Sequence, residues 1–122
     1  MSTMNQYDDL LIRSEEKEEI LIKDFKTINV YDEGDDRLRV FVANPSPFRF
    51  YTGLEITIKE KNFHIYYPPQ NSVKVGYSTT EQYALLYILG RVLANYETAM
   101  PEAMAHSVKK ALFDHRQRSL FE

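Results

Sequence analysis

The chain has 122 residues, enough for one domain with a single core and too few for two ordinary ones. It contains no cysteine, which excludes disulfide scaffolds, thiolate metal sites and cysteine nucleophiles. The net charge of −3 is unevenly spread, with −7 on residues 1–36 and +4 on residues 37–122; this leaves room for a local anion site but argues against the overall basic surface that coats duplex DNA.

The N-terminus has neither a basic leader nor an apolar run, and no apolar stretch reaches the roughly 18 residues of a membrane span, so a cytoplasmic protein without a membrane partner is expected. Residues 1–9 are polar and are expected to fray. Leu10, Leu11 and Ile12 are a candidate first strand, and Ser14 to Glu19 a charged connector. Ile20 to Val30 reads as one long strand with an irregularity near Asp24. Asp32 to Asp36 is a turn cluster containing Gly34. Arg37 to Val42 then alternates, with Leu38, Val40 and Val42 on one face and Arg37, Arg39 and Phe41 on the other, so the pair reads as a hairpin.

Pro45 and Pro47 are expected to break the sheet, because each removes a backbone donor. A short edge strand over Phe48 to Tyr51 precedes Gly53. Leu54, Ile56 and Ile58 alternate with polar residues, and Phe63, Ile65 and Tyr67 share a face opposite His64 and Tyr66. Pro68 and Pro69 close that hairpin, and Val73 to Tyr77 is a final strand. Ser78 with Glu81 fits a helix capping box, as does Thr79 with Gln82. A helix is expected to about Glu97 and a second from Pro101 to about Gln117. The expected fold is a single α+β domain over residues 1–122, β-rich over 10–77 and helical over 79–118. It comprises an antiparallel sheet of five or six strands followed by a C-terminal antiparallel helix pair.

No catalytic equipment stands out. His106 and His115 are nine residues apart on one helix and so on opposite sides of it. No nucleophile elbow, phosphate loop or calcium loop occurs. A non-enzyme without metal or cofactor is expected.

The first helix is more informative. Leu85, Ile88, Leu89, Val92, Leu93 and Tyr96 form an apolar stripe suited to packing on the sheet. The remaining side is not plainly polar. Tyr83, Tyr87 and Arg91 line up at i, i+4 and i+8, Gly90 and Ala94 are small, and Asn95 lies at the border. Three readings fit: the second helix covers this side, a second protomer covers it, or a ligand does. In the last, a Tyr stacks on a planar group and Arg91 holds an anion. Lys109 and Arg116 on the second helix, with Arg118 just past its expected end, are further phosphate candidates, although cations there also offset the helix dipole. A second candidate is the outer sheet face, where Arg37, Arg39, Phe41, Lys59, His64, Tyr66 and Lys74 interleave bases with aromatics, as single-stranded nucleic-acid platforms do. A third is the acidic N-terminal segment as the contact surface of a protein inhibitor or adaptor.

The strands-then-two-helices order resembles the Thoeris anti-defence proteins of viruses, which sequester cyclic ADP-ribose signals. The features carrying the resemblance are an aromatic early in the first helix (Tyr83), an amide later in it (Asn95), and a base late in the second (Arg116) with another after it (Arg118). The resemblance implies a homo-oligomer that holds a nucleotide between protomers by stacking and arginines, binding it without catalysis. The site it and the wheel together suggest is Tyr83, Tyr87, Arg91, Asn95, Lys109, Arg116 and Arg118.

Overall fold

The structure, a computed structural model, describes residues 20–71 and 76–121. Strands β2 (Lys26–Glu33), β3 (Asp36–Ser46), β4 (Arg49–Ile58) and β5 (Phe63–Tyr67) form an antiparallel meander in chain order. Two further strands, β1 (Ile20–Leu21) and β6 (Gln70–Asn71), pair only with each other as a separate ribbon. The main sheet therefore has four strands, not five or six. Two helices follow, α1 (Glu81–Tyr96) and α2 (Glu102–Phe121).

Alternation explains the faces. Leu38, Val40 and Val42 of β3 and Leu54, Ile56 and Ile58 of β4 are all buried on one side of the sheet. They pack against Ala84, Leu85, Ile88, Leu89 and Val92 of α1 and Met104, Ala105 and Val108 of α2. Full burial of each large apolar side chain contributes about 1.5–3 kcal/mol, so this layer is the main source of stability. The helices run antiparallel: Gln82 at the start of α1 donates its side-chain amide to the carbonyl of His115 late in α2.

Turns follow from local chemistry. Gly34 takes a φ of 62° in the two-residue turn between β2 and β3. Asn62, at φ 51°, ends the 3-10 turn Lys59–Lys61 before β5. The β3–β4 turn places Phe48 at φ 63°, in a region costly for a bulky residue, with its ring exposed.

Several sequence expectations are corrected. The strand from Ile20 to Val30 is two strands separated by residues 22–25, because Ile22 donates its backbone N–H to the Pro69 carbonyl at 3.0 Å and turns the chain toward the β1–β6 ribbon. Pro45 does not end β3. Pairing with β2 stops at Val42, so Pro45 sits where β3 has a neighbour on one side only, within a register shift between Ala43 and Ser46. The strands expected at Phe48–Tyr51 and Leu54–Ile58 are one strand, Arg49–Ile58, that runs straight through Gly53, with Phe48 left in the preceding turn. The cap of α1 is Thr80, whose Oγ1 accepts from the Tyr83 N–H at 3.1 Å. Ser78 cannot serve, because its backbone exchanges two 2.9 Å hydrogen bonds with Phe50 in a β-bridge. Residues 1–19, with the expected frayed end, the Leu10–Ile12 strand and most of the acidic surplus, lie outside the described residues, as does most of the strand expected at Val73–Tyr77.

Candidate functional site

At Leu54 the sheet changes character. From Ile58 back to Leu54 β4 lies between β3 and β5, the last β4–β5 pair being Leu54 with Tyr67. Beyond it β4 keeps β3 on one side, while the chain leaves β5 at Pro68 and Pro69 and crosses directly over Gly53. A Cβ at residue 53 would stand 2.2 Å from the Tyr67 carbonyl oxygen and 2.8 Å from the Pro69 nitrogen. Only glycine admits that crossing, which explains a glycine inside a strand.

The divergence opens a pocket of about 350 Å³ between β4, the Pro68 bend and α1. Thr52, Gly53 and Leu54 contribute from the sheet, Tyr67, Pro68 and Gln70 from the bend, and Tyr87, Ile88, Arg91 and Tyr96 from the helix side. Its volume lies at the small end of the roughly 300–1,000 Å³ usual for ligand sites.

Arg91 donates from Nη1 to the buried Tyr87 hydroxyl at 2.9 Å, which orients the guanidinium while its residue stays exposed. Among the described residues Arg91 makes no ion pair, and no carboxylate lines the pocket. Tyr67 and Tyr96 both line this pocket. Burial first, and then Tyr67, push the Tyr96 hydroxyl above its ordinary range, outweighing the opposite pull of Arg91, so it stays a neutral donor at physiological pH. One fixed cation, three phenols and a threonine facing a common space suit a small anion with a planar part.

Two other hollows of similar size differ in charge. The one at Lys26 and Phe50 contains the Lys26–Glu81 ion pair, and the one at Asn62 and His64 contains the Lys59–Asp35 pair at 3.1 Å. Their cations are already matched.

Of the residues singled out from sequence, the pocket brings together Tyr87 and Arg91. Tyr83 and Asn95 are exposed on α1 and do not line it. Lys109 pairs with Glu97 at 2.9 Å, and Arg116 is exposed on α2. Arg118 falls within α2, but its side chain lies outside the described residues. Leu86, Tyr87 and Gly90 are buried, so the middle of α1 is covered nearly all round within the one chain. Tyr96, assigned to the core stripe, and Thr52, Tyr67 and Gln70 were missed. The signal available for them was Gly53 in a strand and the Pro68–Pro69 pair that passes over it.

The outer sheet face departs from expectation. Phe41 is 2% exposed, packed against Phe25 and edge-on to Tyr66 at centroid distances of 4.8 and 5.6 Å. Arg39 forms an ion pair with Glu55, and His64 approaches the other Glu55 oxygen at 3.2 Å. Burial alone would raise the Glu55 carboxyl, but the Arg39 and His64 hydrogen bonds and charges outweigh it and hold the group below its ordinary range. This face spends its bases internally; Lys74 lies outside the described residues.

Among the described residues no three His, Asp or Glu side chains cluster as metal ligands, and no helix is long and apolar enough to cross a membrane. A scan against protein-family models finds no match to this chain, and neither do searches of curated proteins and of solved structures.

Proposed function

We propose that the protein is a non-catalytic binder of a small, anionic, nucleotide-like ligand, held in the pocket between β4 and α1. The observation that carries this reading is Arg91: a guanidinium oriented by a buried tyrosine, facing a pocket with aromatic walls, without a carboxylate partner among the described residues. The pocket volume favours one mononucleotide-sized moiety over two. Sequestration of a cyclic nucleotide signal in the host cytoplasm, as in anti-defence proteins of phages, is the biological role this chemistry would serve. Homo-oligomerisation belongs to the same reading, because Tyr83, Asn95 and the ring of Phe113 (59% exposed) remain available on the outer sides of the helices.

Calorimetry against nucleoside monophosphates, cyclic dinucleotides and cyclic ADP-ribose isomers tests the binding. Wild type should bind at least one of them, and Arg91→Ala should weaken that binding by about 1.5–3 kcal/mol, the usual worth of a charge-assisted contact. Absence of binding across the panel, or indifference to Arg91→Ala, overturns the reading. Light scattering checks the oligomer.

A further inference from the structure

Strand β4 carries an opening in its hydrogen bonding that coincides with the pocket. In an antiparallel strand, alternate residues direct both backbone groups to the same side. Phe50 sends its N–H and C=O away from β3, to Ser78. Leu54, two pairs of residues from it in the same phase, faces Tyr67 of β5. Thr52 lies midway and shares that phase, opposite Val42 in the non-bonded register of β3. Its N–H and C=O therefore point to the β5 side, where β5 has already ended. Among the described residues neither the β4–β5 ladder, which ends at Leu54 and Tyr67, nor the Phe50–Ser78 bridge includes Thr52. Thr52 lines the pocket.

Resting on the proposed anion site, we infer that Thr52 reads the edge of a nucleobase: its N–H donates to a ring acceptor and its C=O accepts from the adjacent ring N–H or amino group, while Arg91 holds the phosphate. The N–H and C=O of one extended residue form a side-by-side donor and acceptor, and every nucleobase presents such a pair along its Watson–Crick edge. The opening is one residue long, closed by Ser78 on one side and Tyr67 on the other. That length suits a flat small molecule and is too short for an added peptide strand, which needs several consecutive residues. Tyr67 and Tyr96 at the same pocket supply ring faces for the base. A backbone donor and acceptor left out of the ladder beside a pocket wall gain from a ligand that pairs both, and this makes the contact selective as well as favourable.

The experiment compares AMP and CMP with ribose 5-phosphate, which has the phosphate and sugar but no base. Affinity is read by calorimetry and the Thr52 amide by ¹⁵N–¹H NMR. Either nucleotide should bind about tenfold tighter than ribose 5-phosphate or better, one to two backbone hydrogen bonds being worth that much. The Thr52 amide proton should move downfield with the nucleotides and stay in place with ribose 5-phosphate. Thr52→Val, which keeps the backbone and loses the hydroxyl, should retain the preference. Thr52→Pro, which removes an N–H that no strand uses, should lose it; if that variant does not fold, the wild-type amide shift decides alone. Equal binding of all three probes without movement of Thr52 overturns the base contact and leaves the anion site standing. Failure of all three to bind overturns both.

Discussion

The two halves of β4 are built from similar residues and behave differently. From Leu54 to Ile58 the strand is bonded on both edges and its core-facing residues are buried under α1. From Arg49 to Gly53 it pairs with β3 except at the register shift around Phe50, its other edge is bridged among the described residues to Ser78, and the chain beyond β5 swings across it. The difference shows how one fold separates stability from recognition. The doubly bonded half has no backbone group to spare, whereas the half that lost its neighbour keeps an edge, a hollow and a nearby cation.

That contrast can be broken from either end. Ile56→Ala, in the inner half, should cost about 2–5 kcal/mol of unfolding free energy, because Ile56 is fully enclosed and the site can collapse only partly. A loss below 1 kcal/mol in urea denaturation would contradict that packing. Gly53→Ala, at the joint, should cost about 1–3 kcal/mol or more, since the new methyl meets backbone atoms of Tyr67, Pro68 and Pro69 rather than a movable side chain. It should also abolish ligand binding in whatever fraction still folds, whereas Ile56→Ala should leave the affinity of the folded fraction intact.

Acid should act on the inner half. Glu55 titrates below its ordinary value of 4.5 in the folded chain, so its contribution is fully present above that pH and is lost as pH falls through the lower folded value. The urea midpoint should therefore drop more steeply below about pH 4.5 in wild type than in Glu55→Gln. Parallel curves would show that the Arg39–Glu55–His64 cluster does not contribute to stability.

At the far tip of the outer half, Phe48→Asn should raise stability by about 0.5–1 kcal/mol, because asparagine tolerates the left-handed backbone and the exposed ring gives up little packing. A drop in melting temperature would mean that the ring is packed after all. A small effect on folding, within about 1 kcal/mol, is expected for Arg91→Ala, whose side chain is exposed apart from its hydrogen bond to the Tyr87 hydroxyl. Unchanged stability with lost binding would separate the outer half's role from that of the core.

Part of the candidate site was legible in advance. Tyr87 and Arg91 stood out because helical spacing puts them on one edge, and helical spacing is local. Tyr83, four residues before Tyr87, shares that edge but lies a turn beyond the pocket, and nothing in a wheel diagram marks where a pocket ends. Lys109 is matched by Glu97 across the helix connection, a partner its own helix does not reveal. Tyr96 reads as core because its wheel position is apolar, yet it also lines the pocket opposite Tyr67 at the end of β5.

The sequence by itself determined the order of a β-rich half followed by two helices, the core face of β3 and β4, and a turn at Gly34. Each follows from period-two or period-3.6 patterning or from one residue's backbone freedom, which act over a few positions. Only the tertiary structure decided that Ile20 and Leu21 leave the main sheet, that Pro45 is tolerated inside β3, that Phe41 is buried, and that β4 loses its neighbour at Gly53. These depend on which edge of a strand is occupied and on where a distant segment crosses it, and neither is encoded in a residue's immediate neighbours.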